Sequence, residues 1–228
     1  MVIPLYDHDP LKDRVLPVVT WGLIAANVIV FFIQLSADGT GDNLLAAYGV
    51  IPAVIAGNTP NTAPIPAYAT VLTGMFMHAG WWHLIGNMIY LWVFGDDIEE
   101  AMGRLRFLAF YLLSGIGAAL AYVGFNMAST VPMVGASGAI AGVLAAYLLL
   151  RPCARITVFM FFFVYRVQAM WVILLWAILQ LGSLIGSDDD SIAYMAHIGG
   201  LAAGACLFVA MRPKGVELFE CMDDDRQA

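Results

Sequence analysis

Apolar residues occur along this chain in six long runs, none of which contains Lys, Arg, Asp or Glu. A membrane-spanning helix needs about 20 predominantly apolar residues to cross a hydrocarbon layer of ~30 Å. The second and fourth runs are short for a full span. The pattern predicts six transmembrane helices, at residues 16–35, 80–95, 107–125, 134–150, 169–186 and 191–211.

The composition also indicates a lipid environment. The chain of 228 residues is 61% hydrophobic and 12% charged, which is more apolar than one soluble core accommodates. The sequence therefore predicts an all-α polytopic membrane protein. A cleavable signal peptide is another interpretation of the first run, but Asn27 and Gln34 interrupt it and no small-residue cleavage site follows. We therefore interpret this run as a helix of the mature chain.

Basic residues predict the orientation, because Lys and Arg in short loops are retained on the cytoplasmic side of a membrane. All ten fall on one side of the six-helix scheme, and the opposite loops, at 36–79, 126–133 and 187–190, contain none. Both termini are therefore predicted to be cytoplasmic. The ten residues are Lys12, Arg14, Arg104, Arg106, Arg151, Arg155, Arg166, Arg212, Lys214 and Arg226.

This scheme divides the chain into a cytoplasmic N-terminal segment at 1–15, a membrane domain at 16–211 and a cytoplasmic acidic tail at 212–228. The external loop at 36–79 is too long for a simple connector, and its apolar part is expected to lie on the membrane face. The apolar segment 155–168 is interpreted as a cytoplasmic interfacial segment. The tail is expected to be solvated.

Cysteine spacing and net charge add little to this picture. Cys153, Cys206 and Cys221 match neither a disulfide framework nor a zinc site, so they are expected to be bystanders. The net charge of -7 comes largely from acidic stretches that include 188–190 and 223–225, which are expected to be solvated.

Polar residues near the outer ends of helices two, four and six predict a common site. These are His83, Asn87, Ser137 and His197, each within about two turns of an outer end, at a depth of roughly 5 to 10 Å. Ionisable residues at membrane depth are costly and usually face a bundle interior or a hydrated cavity. A hydrogen bond to a neighbouring helix would account for one such histidine, but a shared site accounts better for four polar residues at one level.

Glycine spacing predicts which helices touch. Helices four and six each carry a small-xxx-small pair that lets membrane helices approach closely, at Gly138, Gly142, Gly200 and Gly204. Ser137 borders the first pair, and His197 lies three residues before the second. Close packing would bring the Ser137 Oγ within hydrogen-bond reach of the His197 imidazole, which can take the serine proton near neutral pH.

No acidic residue is placed to orient His197, so the sequence predicts a serine–histidine dyad rather than a triad. An acyl transfer also needs hydrogen-bond donors for the oxyanion. The candidates are the backbone N–H of Ser137, near a helix N-terminus, and the side chains of His83 and Asn87.

Three motifs in this arrangement resemble those of the rhomboid family of intramembrane serine proteases. They are GASG at 135–138, HLIGN at 83–87 and AHIGGLAAG at 196–204, in the family's order. The resemblance implies Ser137 as nucleophile and His197 as general base, with His83, Asn87 and the Ser137 amide at the oxyanion. It also implies a six-helix core with a hydrated cavity that opens outward and a gate at helix five.

The resemblance further implies partners, cofactors and location. The lipid bilayer and single-pass transmembrane substrates cut near the outer face are the expected partners, and no metal or organic cofactor is implied. The compact form looks like a bacterial plasma-membrane member. A catalytically inactive relative that binds membrane substrates without cleaving them is the alternative, ahead of a transporter or a haem-binding bundle.

Two positions depart from the pattern of some family members. Ala141 stands where an aromatic ring stacks on the catalytic histidine, so His197 must be held by other contacts. Ala69 and Thr70 stand where some members have a Trp-Arg pair in the first loop. His78 corresponds to a further histidine and is expected to be structural.

Overall fold

Six long helices dominate the computed structural model, which describes residues 3–7, 16–38, 42–186 and 194–221. Each predicted apolar run overlaps one of them within the described residues. The acidic stretches 188–190 and 223–225 lie outside the described residues. The helices are α1 (Val18–Asp38), α5 (Trp81–Met102), α6 (Arg104–Phe125), α7 (Ser137–Leu150), α8 (Ala169–Gly186) and α9 (Tyr194–Met211).

Three of the described helices are long and apolar enough to cross a membrane, at Val18–Ala37, Arg104–Phe125 and Tyr194–Met211. The helices α7 and α8 are also apolar, but their apolar stretches, Ser137–Leu150 and Ala169–Gly182, are shorter than those three spans. The C-terminal end of α5 carries several acidic residues, which reduces its mean hydropathy. The mostly helical architecture is confirmed, whereas six complete spans and the orientation remain predictions.

The long loop between α1 and α5 packs against the bundle. It contains three short helices, α2 (Asp42–Tyr48), α3 (Pro52–Ile55) and α4 (Thr70–Thr73), and two 3-10 turns, at Ala67–Ala69 and Gly74–Phe76. Its buried valines, Val50 and Val71, lie in one apolar cluster with Ala119 and Val123 of α6. A β-bridge joins Val50 to Met133 in the segment before α7. The loop therefore fixes the segment that leads into α7.

A three-stranded antiparallel sheet corrects the all-α expectation. The strands β1 (Ile3–Asp7), β2 (Arg155–Met160) and β3 (Phe163–Gln168) lie in the order β1-β2-β3. Segment 155–168, predicted as interfacial, is therefore a β-hairpin, with Thr157 opposite Arg166. The run is almost continuously apolar, so it lacks the period-two alternation that predicts a strand. Its β-branched and aromatic residues suit the sheet.

The C-terminal segment docks on the bundle, which corrects two further expectations. Cys153 and Cys221 form a disulfide, with Cα atoms 5.2 Å apart, so these two cysteines are not bystanders. The backbone N–H groups of Phe219 and Glu220 donate to carbonyls in the last turn of α7, at 2.7 and 2.9 Å. The expectation of a solvated tail is therefore wrong for the described residues 212–221. Because the two cysteines are 68 residues apart in the sequence, no local pattern predicts this pairing.

Small residues allow α9 to lie against both α6 and α7. A methyl group built on Gly200 would overlap the carbonyl oxygen of Gly138, and one on Gly204 would overlap the backbone of Gly142. Gly138 also faces α6, where an added methyl would lie 2.5 Å from the Cβ of Ala118. The contact predicted between two helices therefore involves three.

Buried carboxylates tie the C-terminal end of α5 to two other helices. The Glu99 carboxylate accepts hydrogen bonds from the backbone N–H groups of Val19 and Thr20, at 3.0 and 2.7 Å, and so caps the start of α1. The Asp97 carboxylate lies 2.7 Å from Nη1 of Arg151, and both side chains are buried. These contacts fix α5 relative to α1 and to the end of α7.

Replacing Gly204 with alanine is expected to lower the melting temperature of the protein in detergent. The new Cβ overlaps the α7 backbone, which no rotamer change relieves, and overpacking of this kind costs about 1–3 kcal/mol. Gly182→Ala is the matched control, because among the described residues no atom outside the neighbouring backbone of its own helix lies within 4 Å of a Cβ at that glycine. Equal melting temperatures for the two variants, measured by scanning fluorimetry, would contradict the backbone contact.

Arg151→Met is expected to destabilise the protein strongly, because removing one partner of a buried ion pair costs about 3–5 kcal/mol. Adding Asp97→Asn should recover part of that loss, since the uncompensated carboxylate is removed. The control is Arg106→Met, which changes an exposed arginine of α6. Thermal unfolding of the single and double variants gives the comparison, and additive losses at 97 and 151 would exclude the pair.

Candidate active site

The N-terminal ends of three helices meet at one cavity of about 190 Å³. His83 is the third residue of α5, Ser137 the first of α7 and His197 the fourth of α9. All three side chains line this cavity, as does Asn87, one turn further along α5. The four polar residues singled out in the sequence therefore lie around one space.

The Ser137 and His197 side chains are in contact. Ser137 Oγ lies 2.8 Å from Nε2 of His197, which is hydrogen-bond distance for a hydroxyl donating to a ring nitrogen. Since α7 begins at Ser137, its backbone N–H has no intrahelical carbonyl partner. The His197 ring can therefore accept the Ser137 hydroxyl proton, and the Ser137 backbone N–H is free to donate to a developing negative charge.

A glycine shapes the turn that precedes the serine. Gly135 has a φ of +117°, a conformation that side chains disfavour. A Cβ at this position would also lie 2.7 Å from Cε1 and Nε2 of the His83 ring. The Gly135 N–H donates to the carbonyl of Gly74 at 2.9 Å, so the long loop holds this turn in place.

The orientation of His83 directs one nitrogen toward that turn. The backbone N–H of Ala79 donates to Nδ1 of His83 at 3.4 Å, which leaves the ring proton on Nε2, the nitrogen that faces Gly135. Asn87 Nδ2 donates to the carbonyl of His83 in its own helix at 3.0 Å. An amide nitrogen has a second N–H, so this bond does not exhaust Asn87 as a donor.

His78 supports the His83 ring from outside the cavity lining. The two rings pack edge to face, with centroids 5.1 Å apart. The backbone of His78 exchanges two hydrogen bonds of 3.0 Å with the side-chain amide of Gln34 on α1. Burial, together with the neighbouring His83, lowers the pKa of His78 to about 3, so this imidazole is neutral at physiological pH.

Two α8 residues that the sequence analysis missed hold the His197 imidazole. Gln180 Oε1 lies 2.7 Å from Nδ1 of His197, on the side of the ring opposite Ser137. The ring of Trp176 lies beside it, with centroids 5.5 Å apart and planes inclined by 43°. Trp176 thus provides the aromatic neighbour that Ala141 cannot. Gln180 is the only amide side chain in the α8 sequence, which is the signal that could have revealed it.

The site contains the parts that nucleophilic acyl transfer requires. A hydroxyl, a ring nitrogen that accepts its proton and several N–H donors lie around a cavity large enough for a substrate side chain. Among the described residues, no group of three or more His, Cys, Asp or Glu side chains is arranged to hold a metal ion.

Comparison with known proteins gives matches to rhomboid proteins. A match to the Rhomboid domain covers residues 66–214. The chain is 31% identical over 212 residues to the putative rhomboid protease YdcA of Bacillus subtilis, in an alignment that covers 88% of this chain and 92% of YdcA. It is 29% identical over 189 residues to the rhomboid protease GluP of the same species, covering 82% of this chain and 34% of GluP.

A mitochondrial relative is also similar. Rhomboid protein 1 of Saccharomyces cerevisiae is 31% identical over 139 residues, which cover 59% of this chain and 39% of the yeast protein. The chain therefore spans well under half the length of this protein and of GluP, but nearly all of YdcA.

The domain match covers more than half of the 228 residues and includes all four cavity-lining polar residues. The resemblance seen in the three sequence motifs is thus confirmed by matches that extend along most of the chain. The chain belongs to the rhomboid family.

Proposed function

We propose that the chain is an intramembrane serine endopeptidase that cleaves single-pass transmembrane proteins near the outer face of a bacterial plasma membrane. The observation that supports this most is the 2.8 Å contact between Ser137 Oγ and His197 Nε2 at the cavity. The names of two relatives, GluP and YdcA, include the word protease, which agrees with the proposal.

In the proposed reaction Ser137 Oγ attacks the carbonyl carbon of the scissile peptide while its proton passes to Nε2 of His197. The tetrahedral intermediate collapses when the C–N bond breaks and His197 returns that proton to the leaving amine. Water then attacks the acyl-enzyme, gives a proton to His197 and releases the carboxylic acid product. The serine hydroxyl is regenerated, so the cycle consumes one water per bond.

Three groups are proposed to stabilise the oxyanion. The Ser137 N–H lies at the start of α7, where the helix dipole also favours negative charge. His83 contributes its Nε2–H, which faces the turn at Gly135. Asn87 contributes the N–H of its side chain that is not directed at the His83 carbonyl.

The proposed topology places this site close to the external water phase. Six spans make up the membrane domain at 16–211, with external loop 36–79, and the flanking segments 1–15 and 212–228 are cytoplasmic. The distribution of the ten Lys and Arg residues supports this orientation. The helices α5, α7 and α9 all begin beside the cavity, and in this topology that end of each helix is the external one. In the proposal, water therefore reaches the cavity from the external side, and substrate enters from the lipid.

A fluorophosphonate probe is expected to label the chain at Ser137, because an activated serine oxygen displaces fluoride from phosphorus. Ser137→Ala and His197→Ala should abolish both labelling and cleavage of a model transmembrane substrate in liposomes. Ser36→Ala, which changes an exposed serine of α1, is the matched control and should retain both. Unchanged cleavage in the first two variants would refute the dyad. Absence of labelling and cleavage in the unsubstituted chain would favour an inactive relative that only binds substrates.

His83→Phe is expected to reduce kcat about 10²- to 10³-fold, the usual effect of removing one oxyanion donor. Phenylalanine keeps a ring against Gly135 but lacks the Nε2–H. Asn87→Ala should cause a smaller loss, because the other donors remain. Liposome kinetics with a purified substrate measure both effects, and complete inactivation by Asn87→Ala would show that the roles are divided differently.

A further inference from the structure

The His197 imidazole is held through both of its nitrogens. Nε2 lies 2.8 Å from Ser137 Oγ, and Nδ1 lies 2.7 Å from Gln180 Oε1. The geometry points to Gln180 as the positioning residue of the proposed dyad: it fixes His197 in the tautomer whose Nε2 accepts the serine proton. This inference rests on the proposed function and adds a residue to it.

The tautomer follows from the groups that face each nitrogen. A carbonyl oxygen such as Gln180 Oε1 only accepts hydrogen bonds, so Nδ1 must carry the ring proton to make this contact. A neutral imidazole has one ring proton, so Nε2 then has a lone pair. That lone pair faces the Ser137 hydroxyl, which is the arrangement a general base requires.

An amide suits this position better than a carboxylate does. Charged groups at membrane depth are costly to desolvate, whereas a neutral amide keeps the acceptor without a permanent charge. When the proton from Ser137 reaches Nε2, Nδ1–H still donates to Gln180, so the imidazolium keeps its orientation during the reaction. His197 Nδ1 therefore has an acceptor in Gln180, although the sequence places no acidic residue to orient this histidine.

Gln180 acts on the base without lining the cavity. The residues around the cavity include Trp176 but not Gln180, so a substitution at 180 acts on the base from outside the cavity lining. Trp176 and Gln180 are four residues apart and therefore share one face of α8. Leu175, Ile178 and Leu179 on the remaining faces are exposed. The outer half of α8 thus meets the bundle through the face that orients His197.

Gln180→Met is expected to lower kcat about 10- to 100-fold with KM unchanged, the range expected for loss of a hydrogen bond to a group that becomes charged. Methionine has nearly the same length but offers no oxygen acceptor. Gln180→Glu restores the acceptor and should recover most of the activity. Leu179→Met is the matched control on the exposed face of the same helix. The readouts are liposome kinetics, the rate of fluorophosphonate labelling and melting temperature.

A kcat for Gln180→Met within twofold of the unsubstituted chain would overturn the inference while leaving the proposed function intact. An equal loss in Gln180→Glu would also overturn it, because an oxygen acceptor at position 180 would then not restore the base. The ¹⁵N NMR spectrum of the unsubstituted chain provides a test that needs no variant at position 180, with His197→Gln used to assign the signals. A proton on Nδ1 is expected, and a neutral ring protonated on Nε2 would overturn the inference even if cleavage is observed.

Failure of the proposed function gives a different result. In that case the unsubstituted chain neither reacts with the probe nor cleaves substrate, whereas the NMR measurement still reports whether Gln180 sets the tautomer. If Nδ1 is protonated but no cleavage occurs, the catalytic part of the inference falls together with the proposed function.

Discussion

The backbone contact between α7 and α9 is the constraint on which the candidate site depends. Ser137 and His197 are on separate helices, and the distance between their side chains is set by how closely those helices approach. At Gly200 and Gly204 no side chain fits between the two backbones. Misplacement of reacting groups by about 1 Å can cost 10²-fold in rate, so the absence of Cβ atoms at these positions matters for chemistry as well as for packing.

Two levels of the bundle, at the two ends of α5, carry buried polar groups, and each level meets the cost of burial differently. At the C-terminal end of α5, Asp97 is paired with Arg151, and Glu99 caps another helix. At the opposite end, the groups around the cavity are a hydroxyl, amides and imidazoles, which can all be neutral. The first level stabilises the fold through charge pairing. The second keeps a histidine nitrogen available for proton transfer without a permanent charge nearby.

Sequence patterns predicted the helices and the polar residues that line the cavity, because both depend on local periodicity. Apolar runs of near-membrane length identify helices, and residues at equivalent positions in parallel helices are brought to one level. The relation of Ser137 to His197 follows from the small residues beside them, and the structure has their side chains 2.8 Å apart.

The features that sequence did not predict depend on non-local pairing or on helix rotation. The strand β1 pairs with β2 across about 150 residues, and Cys153 pairs with Cys221 across 68. Neither partner shows a local pattern that indicates the other. Gln180 is visible in the sequence as a polar residue in an apolar helix, but which neighbour it meets depends on the rotation of α8 about its axis.

The proposed reaction limits the form in which a substrate can be bound. Attack requires Ser137 Oγ to come within about 3–3.5 Å of the carbonyl carbon of the scissile bond. In an α-helix the backbone lies inside side chains that extend the diameter to about 10 Å, and its carbonyl oxygens are bonded within the helix. Under the proposed function, a peptide bond therefore reaches Ser137 as an unwound segment or after a wall of the cavity moves. If that wall is α8, the same movement withdraws Gln180 from His197, so a bound substrate must leave α8 close to its position against α9 for the base to stay oriented. Unwound segments with small side chains meet that condition with the least displacement of α8.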